Sequence, residues 1–191
     1  MVTSFLIIQL PAFALLSLLI YLPVFFICRK KHGKEPFLRH LVRYALIGFT
    51  ISLVYLTILW YGIEYLFQRP DYYFLNLTPF VWLKETYEMG WSKMIEQILL
   101  NIAMFAPLGF LLPAVFAGAR KWYKTLLLVA GISLFIETVQ YFIGRSSDID
   151  DLIMNTIGGI VGYALFALLN HCFKNHSAWC GMLGKTDESV S

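Results

Sequence analysis

Five runs of predominantly apolar residues divide this chain, each of about the 20 residues needed to cross the hydrocarbon core of a bilayer. They are predicted at roughly residues 4–28, 41–67, 98–117, 125–144 and 151–173. Inside a bilayer a spanning segment must satisfy its own backbone N–H and C=O groups, so separate runs of this length are read as helices. The predicted fold is therefore all-α, a polytopic membrane helix bundle of about five transmembrane helices. Only 14% of the 191 residues are charged and 59% are hydrophobic, whereas a soluble domain carries about a quarter charged residues. Pro11, Pro23, Pro107 and Pro113 fall within the runs; neighbouring helices can re-satisfy the backbone groups they free.

The basic residues give an expected orientation. Arg29, Lys30, Lys31, Lys34, Arg39 and Arg43 follow the first run, Arg120, Lys121 and Lys124 follow the third, and Lys174 and Lys185 follow the fifth. Only Arg69, Lys84, Lys93 and Arg145 belong to the opposite side. The positive-inside bias places the N-terminus outside and the C-terminus in the cytoplasm. Cys28, Cys172 and Cys180 then lie at the reducing inner face, and most acidic residues lie at the outer one. No Lys or Arg precedes the first run and a basic cluster follows it, the reverse of a cleaved secretory signal. The net charge of +3 and the lack of an aromatic-basic groove pattern point away from nucleic acid. The cysteines form no CxxC pair, and His32, His40, His171 and His176 have no metal-ligand spacing, so neither a metal nor a cofactor is expected.

Residues 68–97, between the second and third runs, are rich in aromatics: Tyr72, Tyr73, Phe74, Phe80, Trp82, Tyr87 and Trp91. This density predicts an interfacial outer segment before the third helix. Residues 91–97 read as an amphipathic lead-in to that helix.

Charge inside the apolar runs is concentrated in SLFIETVQYFIGRSSDIDDLIMNTIGG, residues 133–159. Ser133, Glu137 and Gln140 stand at i, i+4 and i+7, one helical face. Asp151, Asn155, Gly158 and Gly162 repeat the spacing on the next run, and Asn101 lies at a similar depth on the third. Glu137 is about two turns, roughly 10 Å, inside the membrane, where a carboxylate must face the bundle and have a partner or be protonated. Asp148 and Asp150 also suit a helix N-cap, the asparagines can serve as interhelical hydrogen-bond glue, and the glycines suit close packing. The ligand-binding candidates are Asn101, Glu137, Gln140, Arg145, Asp148, Asp151 and Asn155.

Three blocks resemble the VanZ-like family, accessory membrane proteins of teicoplanin-type glycopeptide resistance. These are LNLTPF (residues 75–80), NIAMFAPLGFLLP (residues 101–113), and Glu137, Gln140, Asp148-x-x-Asp151, Asn155-Thr156 and Gly158-Gly159. The resemblance implies a four-helix bundle over residues 41–173, preceded in residues 1–40 by an extra transmembrane helix and basic cytoplasmic loop, and followed by a cytoplasmic tail, residues 174–191. It also implies a protein of the bacterial plasma membrane. With the shared depth of the candidates, it leads to an expected role in binding at the outer leaflet. Its partners would be membrane lipid, a lipid-linked cell-wall precursor or a glycopeptide antibiotic. Two other readings stand beside it. One is a membrane enzyme acting on a lipid-linked phosphoester or glycosyl substrate, with Glu137 in acid–base work; the other is a small proton-coupled transporter.

Overall fold

The computed structural model describes residues 2–59, 74–81 and 90–184. Helix α1 (Val2–His32) is followed by α2 (Phe37–Val54), which continues as a π-helical turn, Tyr55–Leu59. A two-residue strand β1 (Leu75–Asn76) precedes α3 (Trp91–Val115), and a short 3-10 turn leads into α4 (Trp122–Phe142). Strand β2 (Ser147–Asp148), α5 (Ile149–Phe173) and α6 (Ser177–Leu183) follow in the described residues. Five helical segments are long and apolar enough to cross a membrane: Pro11–His32, Phe37–Leu59, Trp91–Val115, Trp122–Phe142 and Ile149–Phe173. The all-α bundle is thus as expected, and the third helix takes in the lead-in from Trp91. Residues 60–67 of the second run, and Tyr72, Tyr73, Trp82 and Tyr87 of the interfacial segment, lie outside the described residues.

The closest contact in the bundle joins α3 to α5. It is made by glycines on both helices. A Cβ on Gly162 would overlap the carbonyl of Ala106 and the amide of Phe110; one on Gly158 would meet the Ile102 carbonyl, and one on Gly109 the Gly159 carbonyl. Backbone thus rests directly on backbone, the geometry that small residues permit in membrane bundles. Around this contact Phe105, Leu108, Val129, Ile136 and Phe166 are essentially fully buried, with Leu53 of α2 closing the core.

The two ends of the bundle are built differently. At the end holding the α4–α5 turn (the hairpin end), α5 starts at Asp148, whose carboxylate accepts the Asp150 amide at 2.9 Å as an N-cap. Asp150 and Asp151 occupy the first turn, where negative charge meets the positive end of the helix dipole. At the opposite end (the arginine end), two guanidinium groups serve as helix C-caps. Arg39 donates to the carbonyls of Ala114 and Val115, each at 2.9 Å, and of Met182 at 3.1 Å. Arg120 donates to the Leu183 carbonyl at 2.6 Å. Carbonyls at helix C-termini lack intrahelical partners, so two side chains from the basic clusters close α3 and α6. Residues 174–191 were expected as a tail. Within them Ser177–Leu183 form α6, which buries Cys180 and Leu183 and sends the Trp179 indole N–H to Asn170 at 3.1 Å. Helix α1 packs on α2 through Ser17 against Gly48, the Tyr44 hydroxyl donating to the Ala14 carbonyl, and the Tyr21–His40 hydrogen bond of 2.6 Å.

Also at the arginine end, Glu35 and Arg43 form a bidentate ion pair. The hydrogen-bonded Arg43 guanidinium holds the Glu35 carboxyl below the usual carboxylate range. A lowered folded-state pKa contributes stability that is present above the unfolded pKa and lost as pH falls through the folded one. Melting temperatures of wild type and Glu35→Gln should therefore differ at neutral pH and converge in acid. For the α3–α5 contact, Gly162→Leu should destabilise the purified protein by about 1–3 kcal/mol or more. Gly131→Ala, where a Cβ meets nothing within 4 Å, should stay within about 1 kcal/mol of wild type, if anything on the stable side. Thermal melts of the two variants check the difference.

Candidate functional site

The glycine contact brings the polar stripes of three helices to one depth at the hairpin end. The Asn101 amide on α3 donates to the Asp151 carboxyl on α5 at 2.6 Å. The Asn155 amide, one turn deeper on α5, donates to the Ser133 hydroxyl on α4 at 3.0 Å. Asn155 is only 4% exposed, and its Oδ1 has no hydrogen-bond partner. An unsatisfied buried acceptor costs about 1–3 kcal/mol and is unusual enough to call for an explanation.

The fourth wall comes from the π-helical turn. The Thr57 carbonyl accepts from the Gln140 amide at 3.0 Å and from the Arg145 guanidinium at 2.7 Å. The Arg145 backbone N–H in turn donates to the Gln140 carbonyl at 2.9 Å. Together these bonds seat Arg145 against α2, although it lies past the end of α4. Single π-helical turns are frequent at functional sites. Thr57 had no signal in the sequence reading: its contribution is a backbone carbonyl, which any residue type carries.

Glu137 is buried in α4, 5% exposed, and accepts the Asp148 amide at 3.0 Å. This bond ties the intramembrane carboxyl to the start of α5. Glu137 therefore does face the bundle and has a partner, as membrane burial of an acid requires.

These side chains surround one open cleft of about 430 Å³, within the range of small-molecule sites. Its floor holds Thr57, Ile136, Glu137, Gln140 and Asn155, with Asn101, Arg145 and Asp151 along the sides and Lys93, Glu96 and Gln97 on the exposed rim. Of the seven candidates, Asn101, Glu137, Gln140, Arg145, Asp151 and Asn155 meet there. Asp148 does not line this cleft. It caps α5 and receives the Asn76 amide at 3.1 Å. The rim residues Lys93, Glu96 and Gln97 were not among the candidates, because on an exposed first turn they resemble any solvated face.

A latch, residues 75–80, is tied to the start of α5 at the hairpin end. Strand β1 pairs in parallel with β2, Leu75 opposite Ser147 and Asn76 opposite Asp148. The Phe80 amide donates to the Asp150 carboxyl at 2.6 Å. Phe80 holds φ +65°, a left-handed conformation that costs a bulky residue about 1–3 kcal/mol. The block LNLTPF thus acquires a physical role: its polar side chain and backbone bind the aspartates at the start of α5.

The family model described as VanZ/LLP1 matches residues 46–170. This chain belongs to the VanZ/LLP1 family. The region matched in common with that family contains all seven candidates, Thr57 and the latch, and excludes α1 and α6. Among curated proteins the chain is similar to Protein VanZ of Enterococcus faecium, 35% identical over 97 residues. That alignment covers 50% of this chain and 54% of the relative, so the chain matches about half of the relative's length. No solved structure gives a significant match. Family membership and the five apolar helices make the chain a VanZ-like, multi-pass membrane protein.

The Asn101–Asp151 bond gives a direct check on the site's geometry. Asn101→Leu removes the donor from a half-buried carboxyl and should lower stability by about 1–3 kcal/mol. Asp151→Asn keeps the shape and can pair amide to amide, so its loss should be smaller; melts of both variants in detergent distinguish the two.

Proposed function

We propose that this VanZ-like protein binds the polar head of an amphiphile at the outer leaflet of a bacterial plasma membrane. The ligand class is a membrane lipid, a lipid-linked cell-wall precursor or a lipophilic glycopeptide. The observation that carries the reading is the convergence of Asn101, Glu137, Gln140, Arg145, Asp151 and Asn155, from α3, α4, α5 and the α4–α5 turn, on one cleft. The buried and unpartnered Asn155 Oδ1 offers an acceptor to a ligand hydroxyl, amide or ammonium. Lys93 offers a donor to a phosphate or carboxylate, and the Arg145 guanidinium, held on the Thr57 carbonyl, adds positive charge beside it. A head group carrying both donors and anionic oxygens therefore fits the cleft better than a simple anion.

Placement at the outer leaflet follows from the Lys/Arg bias. Eleven of the fifteen Lys and Arg residues belong to the arginine end or the segments joined to it, which by the positive-inside rule faces the cytoplasm. The cleft at the hairpin end then opens outward, with the N-terminus outside and the C-terminus inside. A role in susceptibility to teicoplanin-type lipoglycopeptides is the reading that the family resemblance suggests for such a cleft.

The test replaces Glu137 by Gln and Arg145 by Ala, singly, in a strain whose lipoglycopeptide susceptibility depends on this gene. At normal membrane expression each variant should shift susceptibility most of the way to that of the deletion strain. Unchanged susceptibility in both would remove the cleft from the mechanism.

A further inference from the structure

Behind Glu137, on the other side of the α4–α5 crevice, lies a second cavity: a groove of about 290 Å³. Its walls are Leu134, Thr138, Tyr141 and Phe142 of α4 and Ile149 and Leu152 of α5, and Leu75 and Leu77 of the latch complete it. Several of these apolar side chains are open to the surroundings: Leu134 is 55%, Leu75 51%, Leu77 66% and Phe142 68% exposed. Leu134, Phe142, Ile149 and Leu152 belong to helices apolar enough to span a bilayer, so in a membrane the open side of the groove would run along the lipid-facing surface near the helix ends. At one end of the groove the lining turns polar, with Glu137, Ser147 and Asp148.

The charged groups at the polar end are of one sign. Among the described residues the lining holds two carboxyl groups, Glu137 and Asp148, and no Lys, Arg or His. The Asp148 carboxyl is partly used: Oδ1 accepts the Asp150 amide and Oδ2 the Asn76 amide. Glu137 Oε2 accepts the Asp148 amide. Each carboxylate oxygen has two acceptor sites, so capacity remains for donors from a ligand. A charge beside hydrocarbon is stable only when paired and hydrogen-bonded.

We propose that this groove is a second binding site, distinct from the cleft, for a membrane amphiphile whose hydrocarbon chain lies between Leu134, Leu152 and the latch leucines and whose ammonium head meets Asp148 and Glu137. An apolar furrow ending in two carboxyls, with no cationic side chain among its described lining, selects a long-chain amine over an alcohol, and both over an anion. The latch makes the site more than a gap between helices. Leu75 and Leu77 reach it only because β1 pairs with β2 and Asn76 bonds Asp148, so the residues that hold the latch in place are also those that form the polar end. The site does not depend on the cleft reading, since the two cavities share only Glu137 among their lining residues.

The test uses the full chain in phosphatidylcholine nanodiscs, photolabelled with diazirine-bearing alkyl amine, alcohol and sulfate probes of equal chain length. The amine should label peptides covering residues 134–152 several-fold more than the sulfate, with the alcohol between. Leu134→Trp fills the groove from an exposed position and should cut that labelling several-fold without a fall in melting temperature; Leu127→Trp, also exposed on α4 but not lining the groove, should not. Asp148→Asn keeps a good helix N-cap and should erase the preference of amine over alcohol. Equal labelling by all three heads, or labelling unmoved by Leu134→Trp, overturns the proposal. The cleft is read by drug susceptibility and the groove by the label, so either can fail alone.

Discussion

The backbone contact between α3 and α5 is the constraint on which the rest of the structure depends. Lipid tails are as apolar as the helix faces they would replace, so packing in a membrane is set by shape more than by the hydrophobic effect. Gly109, Gly158 and Gly162 supply the shape by removing the side chains that would hold the two helices apart, while the bare Cα of Gly159 makes room for Val129 of α4. Only at that separation can Asn101 reach Asp151 in a 2.6 Å bond. The polar stripe of α5 is thereby placed opposite that of α4, and Asn155 meets Ser133. None of these glycines lines either cavity. They determine the distance across which the polar groups act.

Polar groups at the hairpin end form a chain of bonds running from the latch to α2. Phe80 and Asn76 hold Asp150 and Asp148, the Asp148 amide holds Glu137, and Gln140 and Arg145 hold the Thr57 carbonyl. Most groups in this chain are satisfied, which is what a low-dielectric setting demands. Asn155 Oδ1 departs from that rule, and it lies in the floor of the larger cavity. Glu137 stands between two cavities of opposite character, one lined by mixed charges and amides, the other by leucines, aromatics and two carboxyls.

The arginine end shows the same economy with different parts. Arg39 and Arg120 belong to clusters whose first reading is topological, yet their guanidinium groups carry the C-terminal carbonyls of α3 and α6. Burial pushes the Arg120 guanidinium below its usual value, though a group so basic keeps its charge. The positive charge of these clusters thus also neutralises helix C-terminal dipoles. Helix α6 exists as a packed element because these arginines and Asn170 hold its carbonyls and its Trp179 side chain.

The number of spans, the all-α class, the N-cap at Asp148 and the inward face of Glu137 were legible in the sequence. Each follows from a local rule: hydrophobic run length, side-chain type beside a helix start, or the cost of a carboxylate in hydrocarbon. The meeting of Asn101, Glu137, Gln140, Asp151 and Asn155 was partly legible, because helical periodicity puts each on the inner stripe of its own helix. Periodicity says nothing about which neighbour a stripe will face or at what distance. The role of Thr57 was not legible, since a backbone carbonyl leaves no mark on residue type. Neither was the latch, whose register depends on one pair of short strands far apart in the chain. The sequence by itself determined which residues must leave lipid. Tertiary packing through the α3–α5 glycines decided which of them meet, because only the interhelical distance converts a polar face into a cavity.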